Sequence, residues 1–487
     1  MNWRSFRENV EALTVAVLLA LVIRHFFVGS YEIPTGSMAA GLNGLHITVN
    51  CPNCTTANHV GVSSNSLTNR VELSSKLEIY QGVCPKREIP IKIATMGAER
   101  ISCPACKEAH PTAGKTHWGR ASTMRAWCKE CTLIFPIVVE LSDILGGNKI
   151  LVDKFAYDWQ QPKRWDVVVF KFNRERDYIK RLVGLPGEQI QIKNGDIWID
   201  GNIEAKTVEA QDRFWTVVHD SSIEEAGLVE SPWQSTPGWV RNGSGWDYNL
   251  IKDEGSLRYI RGIENRYNYN AIKPAGARIG SVRDLSVKAT LSASKAREES
   301  DSRLDISIWN HPAEYRCSFP IGSGSTQLLL IRPDSEPLLV GELPDVVLQP
   351  GREYRIDFQV VDRSIRLFIE DELVVNIPLP DSELDSGMRG GGRGQPASGV
   401  SFFALNCGGK LQHFQLRRDQ HWTRASRYAT SEPYQIADHR FFVLGDNSPS
   451  SLDSRWWGSF GRSNLIGRGF SIFWPALPGR NETGFIR

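Results

Sequence analysis

Asp177-Tyr178-Ile179-Lys180-Arg181-Leu182-Val183-Gly184-Leu185-Pro186-Gly187-Glu188 decides how this chain is read. Ile179, Leu182 and Val183 mark an apolar strand, and Pro186-Gly187 ends it in a turn. A lysine inside such a strand needs a partner or a reason to be neutral, because burying its charge alone is costly. The plainer reading is a side chain that snorkels at a strand end. Further short β-branched runs surround it: Ile150-Leu151-Val152, Asp166-Val167-Val168-Val169-Phe170-Lys171, Ile190-Gln191-Ile192 and Ile197-Trp198-Ile199. Asn194-Gly195 signals a tight hairpin between the last two.

Outward from these strands the composition changes repeatedly, and 487 residues with 41% hydrophobic content suffice for two or three folded units. The formal charge of +2, from 57 basic and 55 acidic side chains, concentrates no field for nucleic acid, so no nucleic-acid partner is expected. Residues 10–28 hold one apolar stretch broken by Arg24-His25, with Arg4 and Arg7 ahead of it and Phe26-Phe27 behind. It predicts a single spanning helix in the lipid bilayer, with the rest of the chain outside the cytoplasm. A cleavable leader has a similar charged start and short apolar region.

The predicted organisation starts with a cytoplasmic tip and anchor over 1–29. A mainly β catalytic core is assembled from 30–49, 148–203 and 431–487, and a cysteine-rich insert occupies 50–147. Residues 204–276 are rich in Ser-Pro, Pro-Gly and Asn-Gly pairs and read as an irregular connection. From 277 to 420 period-two alternation returns, as in Tyr354, Ile356, Phe358, Val360 and Ile365, Leu367, Ile369, the mark of half-buried antiparallel strands. That pattern resembles a concanavalin-like or laminin-G-like sandwich.

Two more segments carry candidate chemistry. Ile33-Pro34-Thr35-Gly36-Ser37-Met38 follows the apolar stretch, and Gly445-Asp446-Asn447-Ser448-Pro449-Ser450-Ser451-Leu452-Asp453-Ser454-Arg455 is dense in short polar side chains that fix loops. Each alone would pass as a turn. In this order, with the 177–188 strand, they resemble the signature boxes of bacterial type I signal peptidases, over residues 9–49, 148–203 and 434–475. The resemblance implies an all-β core, no cofactor for catalysis, and cleavage of signal peptides from secretory preproteins after small residues, at A-x-A sites. It aligns Ser37 with the nucleophile, Lys180 with the general base and Thr35 with a hydroxyl that helps bind the oxyanion beside the Ser37 N–H. Ser451 aligns with the serine that orients the lysine, while Asp446, Asp453 and Arg455 align with residues that hold the site. Met38-Ala39-Ala40 departs from the family, which places proline and threonine after the methionine.

The chemistry of the residues agrees with that alignment. A serine hydroxyl is a weak nucleophile until a base takes its proton, and a lysine serves only if burial lowers its pKa toward working pH. Substrate would add as a strand beside Glu32, Ile33 and Pro34 and beside Asp177, Tyr178 and Ile179, with Met38 at the cleft. The inserts are expected to be dispensable for this chemistry.

The nine cysteines include three CxxC pairs, Cys51/Cys54, Cys103/Cys106 and Cys128/Cys131, together with Cys84. They predict a structural zinc ribbon, although disulfides are the alternative in an oxidising compartment. Cys103–Cys106 with Cys128–Cys131 is one ligand set; Cys51–Cys54 closing on Cys128–Cys131 is another. Cys317 and Cys407 either bridge within the sandwich or stay thiols. The competing functional readings are a catalytically idle surface protein whose sandwich binds glycan or peptide, and a self-cleaving Ser-Lys repressor, a class that has no membrane span.

Overall fold

Strand Arg176–Gly184, which carries Lys180, lies inside an eight-stranded antiparallel sheet built from three distant parts of the chain. The order is Val28–Glu32, Lys149–Asp153, Leu465–Trp474, Val167–Asn173, Arg176–Gly184, Arg440–Leu444 and Phe460–Gly461, with Gly484–Phe485 also beside Leu465–Trp474. This computed structural model describes residues 3–486 apart from 23–26, 66–69, 73–77, 84–89, 96–99, 103–108, 112–117, 129–130, 132, 140–143, 174–175, 223–230, 268, 271–279, 296–300, 380–396, 425, 478–479 and 482. The fold is mainly β.

Val167–Asn173 shows why the sheet holds. Val167 and Val169 pack on one face with Ile33, Met38, Leu42, Ile150 and Val152, whereas Val168 and Phe170 pack on the other with Leu182, Phe441, Val443 and Phe460. A strand covered on both faces reads as a continuous apolar run, and its alternation is hidden in sequence. The expected hairpin forms between Gln189–Lys193 and Asp196–Ile199, with Asn194 and Gly195 both at positive φ, 54° and 104°.

The segment 204–276 departs from expectation. It contains Thr216–Asp220, Trp233–Ser235, Trp239–Asn242 and Gly245–Tyr259, and the first and last of these pair with the long strand Ser398–Arg418. Its turn dipeptides suggested a connection, but Trp233, Trp239 and Trp246 are core residues that need a sheet to bury them. With these strands the insert forms one 13-stranded antiparallel sheet around one apolar core, to which Leu285, Ile306, Phe358 and Phe402 also contribute.

The described residues do not carry the amino-terminal expectation, and 23–26, inside the expected span 10–28, lie outside them. A helix runs Trp3–Val22, but among the described residues no helix is long and apolar enough to cross a membrane. Its early turns contain Arg7, Glu8 and Glu11, and Arg7 pairs with Glu11 at 3.3 Å across one turn.

In the cysteine-rich insert, His46–Asn50 pairs with Ala57–Gly61, and Trp118–Trp127 pairs with Ile134–Val139. Cys51/Cys54 and Cys128/Cys131 sit at the turns of these two hairpins. Cys84, Cys103 and Cys106 lie outside the described residues.

Candidate active site

Ser37 stands in a turn anchored by buried Ile33 on one side and buried Met38 and Ala39 on the other. Ile33 N donates to Asn148 O at 2.9 Å, Ala39 N donates to Gly36 O at 3.1 Å, and Met38 sinks into the core below. This presents the Ser37 hydroxyl to the neighbouring strand, where Lys180 Nζ donates to Ser37 Oγ at 2.6 Å and to Ile179 O at 3.0 Å. Lys180 is only 4% exposed. Burial pushes its ammonium down to about 8, against the raising effect of Asp453 and Asp446, and Arg455 lowers it further.

The loop after Arg440–Leu444 closes over the same turn. Asn447 N donates to Ser37 O at 3.1 Å and its Nδ2 donates to Gly36 O at 2.9 Å, so one buried asparagine fixes the carbonyls on both sides of the Gly36–Ser37 bond. Gly445 permits the approach: a Cβ there would stand 2.1 Å from Ser451 Oγ and 2.5 Å from Ser37 O. Asp446 accepts two hydrogen bonds from Arg181. Asp453 accepts from Arg455 Nε at 2.8 Å and Nη2 at 2.7 Å, and from Gly445 N at 3.0 Å. Arg455 uses its remaining donors on Thr423 and Ser448.

The structure therefore brings Ser37, Lys180, Asp446, Asp453 and Arg455 together, and it places the other candidates differently. Ser451 does not bond Lys180; its buried Oγ has no partner among the described residues. Thr35 is exposed two positions before Ser37. Ile33 and Met38, expected in the substrate cleft, are 3% and 1% exposed, because the turn uses them as its apolar anchor. Pro34 is exposed, and Tyr178 and Ile179 are half-buried. Residues 176–180 pair with Val167–Asn173 on one side, while pairing with Arg440–Leu444 begins only at Arg181. Among the described residues this leaves a strand edge open beside Lys180.

Sequence reasoning missed Arg181 and Asn447. Arg181 carried a signal, since a second charge in a buried strand demands an acid. Asn447 stood unremarked within a quoted motif.

The cysteines answer one open question. The thiols of Cys51, Cys54, Cys128 and Cys131 are buried and lie within 4.8 Å of one another, with Cys51–Cys131 and Cys54–Cys128 at 3.4 Å. Four thiolates around zinc at ~2.3 Å stand about 3.8 Å apart, so the set fits a tetrahedral ion. Asn53 N donates to Cys51 Sγ at 3.4 Å, satisfying a sulfur as a knuckle turn does. Cys317 and Cys407 are buried free thiols, not a bridge.

Comparison with known proteins bears on the core and on the parts of the insert next to it in sequence. The family "Signal peptidase, peptidase S26" matches residues 141–227 and 397–474. Those two stretches are signal-peptidase-like. Signal peptidase I of Bacillus caldolyticus is 42% identical over 56 residues, 12% of this chain and 31% of that one. Signal peptidase I V of Bacillus subtilis (strain 168) is 40% identical over 55 residues, 11% of this chain and 33% of that one. A probable signal peptidase I-2 of Synechocystis is 46% identical over 43 residues, 9% of this chain and 20% of that one. The chain thus spans about a third or less of the curated relatives it matches. Among solved structures, the carbohydrate binding module CBM66 from Bacillus subtilis is similar over 38% of this chain and 95% of that one, at 7% identity and a TM-score of 0.25. The matched segments, which hold Lys180 and Ser451, are similar to a serine peptidase, a hydrolase; Ser37 lies outside them and enters the site by geometry.

Proposed function

We propose that this chain is a serine endopeptidase that removes signal peptides from exported preproteins, cutting after small residues, with Ser37 as nucleophile and Lys180 as general base. The observation that carries the reading is the 2.6 Å contact between Lys180 Nζ and Ser37 Oγ in a buried setting. Once neutral, the amine takes the hydroxyl proton as Oγ attacks the scissile carbonyl, and then delivers it to the leaving nitrogen. The oxyanion that forms falls to the Ser37 N–H and the Thr35 hydroxyl, donors worth roughly 10²–10³ in rate each when aimed at developing charge. Ser451, whose Oγ has no partner among the described residues, is the hydroxyl available to Lys180 while Ser37 is acylated. Substrate adds to the open edge at 176–180, with Pro34, Tyr178 and Ile179 along it.

The reading places the enzyme on the exported side of the cytoplasmic membrane, where preproteins emerge. It also includes a structural zinc held by Cys51, Cys54, Cys128 and Cys131, which would tie the two hairpins of the insert and take no part in the chemistry. A labelled preprotein with an A-x-A site tests the activity: the purified chain should release the signal peptide and Ser37→Ala should not. Equal cleavage by both forms would remove Ser37 from the reaction.

A further inference from the structure

The Ser37 turn is held from behind by residues that belong to none of the peptidase-like segments. Tyr269 and Asn270 come from the connection between Gly245–Tyr259 and Leu285–Lys295, far from the core in sequence. Asn270 Nδ2 donates to Asn447 Oδ1 at 2.7 Å and Asn447 Nδ2 donates to Asn270 Oδ1 at 2.7 Å, a reciprocal amide pair. One Asn447 Nδ2 proton thus goes to Asn270 and the other to Gly36 O, which accounts for every donor of that amide. The Tyr269 ring lies against the catalytic turn itself: a Cβ on Gly36 would come within 1.9 Å of its Cε1, and one on Gly61 within 2.0 Å. Gly36 is glycine because Tyr269 occupies the space that a side chain would need.

This strap is moored at several points. Tyr269 Oη donates to Leu45 O at 2.7 Å, Gly61 N donates to Tyr269 O at 2.7 Å, Arg261 Nη1 donates to Cys131 O at 2.9 Å, and Arg418 Nη2 donates to Arg266 O at 2.8 Å. It therefore touches the cysteine knuckle, the large sheet and the nucleophile turn together.

We infer that Tyr269 and Asn270 are positioning residues for Ser37, supplied by the insert and acting through Gly36 and Asn447. The inference rests on the peptidase reading and adds to it. Its physical content is geometric: neither residue touches the reacting atoms, but the pair sets where the Ser37 hydroxyl stands relative to Lys180. The insert is then part of the active site, contrary to the expectation of dispensability. Replacing 206–428 by a linker would remove Tyr269 and Asn270, together with Gln420, which donates to Asp446 O at 2.7 Å, and Thr423, which bonds Ser448 and Arg455.

The test uses the full chain and a peptide with an A-x-A site, reading kcat and KM separately. Asn270→Ala should lower kcat by about 10- to 100-fold, the loss expected when a nucleophile drifts by up to an ångström. KM should stay within about twofold, because the strap binds no substrate. Tyr269→Phe keeps the ring on Gly36 and should retain most of the rate that Tyr269→Ala loses. Asn242→Ala, at an exposed asparagine elsewhere in the insert, should match wild type. Should Asn270→Ala fail to fold, Asn270→Asp is read instead: it keeps the acceptor for Asn447 Nδ2 but loses the donor to Asn447 Oδ1, so kcat should still fall. Folded Asn270 and Tyr269 variants with wild-type kcat would overturn the inference. A wild-type chain that cleaves nothing would overturn the peptidase reading itself, before any variant is compared.

Discussion

Arg181 grips Asp446 through two parallel hydrogen bonds, Nε to Oδ1 at 2.7 Å and Nη2 to Oδ2 at 2.6 Å. Its Nη1 donates to Trp165 O at 2.9 Å, and its guanidinium lies 4.8 Å from the Phe214 ring centre. The pair fastens the strand that holds Lys180 to the loop that holds Asn447. Breaking a mostly buried pair by removing one partner typically costs on the order of 3 kcal/mol, so Arg181→Ala should lower the urea midpoint markedly. Arg181→Lys keeps the charge but cannot make the two-pronged contact, and it should recover only part of the loss. A midpoint unchanged in Arg181→Ala would show that the pair does not hold the loop.

How much of this was legible in sequence depends on distance along the chain. Lys180 could be read because its own neighbours, Ile179, Leu182 and Val183, announced an apolar strand with a charge inside it. The Asn194-Gly195 hairpin was legible for the same local reason. The Asn270–Asn447 amide pair was not, since nothing near Asn270 signals that its partner lies across a whole insert. Trp233, Trp239 and Trp246 were misread because turn-rich spacing masked a core that only the pairing with Ser398–Arg418 reveals. Ile33 and Met38 were assigned to the cleft because they flank Ser37, and their apolar side chains instead anchor the turn.

A second polar node joins the core hairpin to the large sheet. Lys206 Nζ sits 2.5 Å from Asp362 Oδ1 and 2.9 Å from Asp419 Oδ2, all three buried, with Asp196 and Asp284 close by. Burial, then Asp419 and Asp362, push the Asp284 carboxyl up to about 7, while Lys206 offsets part of that. A carboxyl whose folded pKa is raised binds more protons folded than unfolded, so its contribution to stability falls as pH rises from about 4 to about 7. Asp284→Asn should flatten that slope and raise the melting temperature at pH 8 relative to wild type. Lys206→Met should do the reverse by leaving buried carboxylates without their cation. Identical melting profiles across pH 5–8 for wild type and Asp284→Asn would rule this account out.

The cysteine cluster predicts a metal content. Purified chain should contain about one zinc per molecule, released slowly by chelator because the thiolates are buried. Cys128→Ser should lose that metal and expose its hairpin to proteolysis. Chain without metal and without free thiols among these four would instead point to Cys51–Cys131 and Cys54–Cys128 disulfides.

On the proposed peptidase reading, the reaction depends on the protonation of Lys180. With its pKa lowered from 10.5 to about 8, roughly a tenth of the molecules hold a neutral amine at pH 7, against less than about one in a thousand for an ordinary lysine. The ratio kcat/KM should therefore climb about tenfold per pH unit below the midpoint and level off above about 8. The same shift acts on stability with a definite sign. Between about 8 and 10.5 the unfolded chain binds more protons than the folded one, so stability rises with pH across that window. Below it the buried ammonium is a net loss, on the order of 3 kcal/mol by the size of the shift. Lys180→Met removes that charge at similar volume, so it should abolish cleavage while raising the urea midpoint at pH 7. Lys180→Arg keeps a permanent charge in the buried site and should be both inactive and less stable. Ser37→Ala should be equally silent, and because Ser37 and Lys180 act as one unit, the double variant should be scarcely slower than either alone. Single-turnover cleavage and urea denaturation of these forms separate the two effects, and a Lys180→Met chain that still cleaves would exclude lysine as the base.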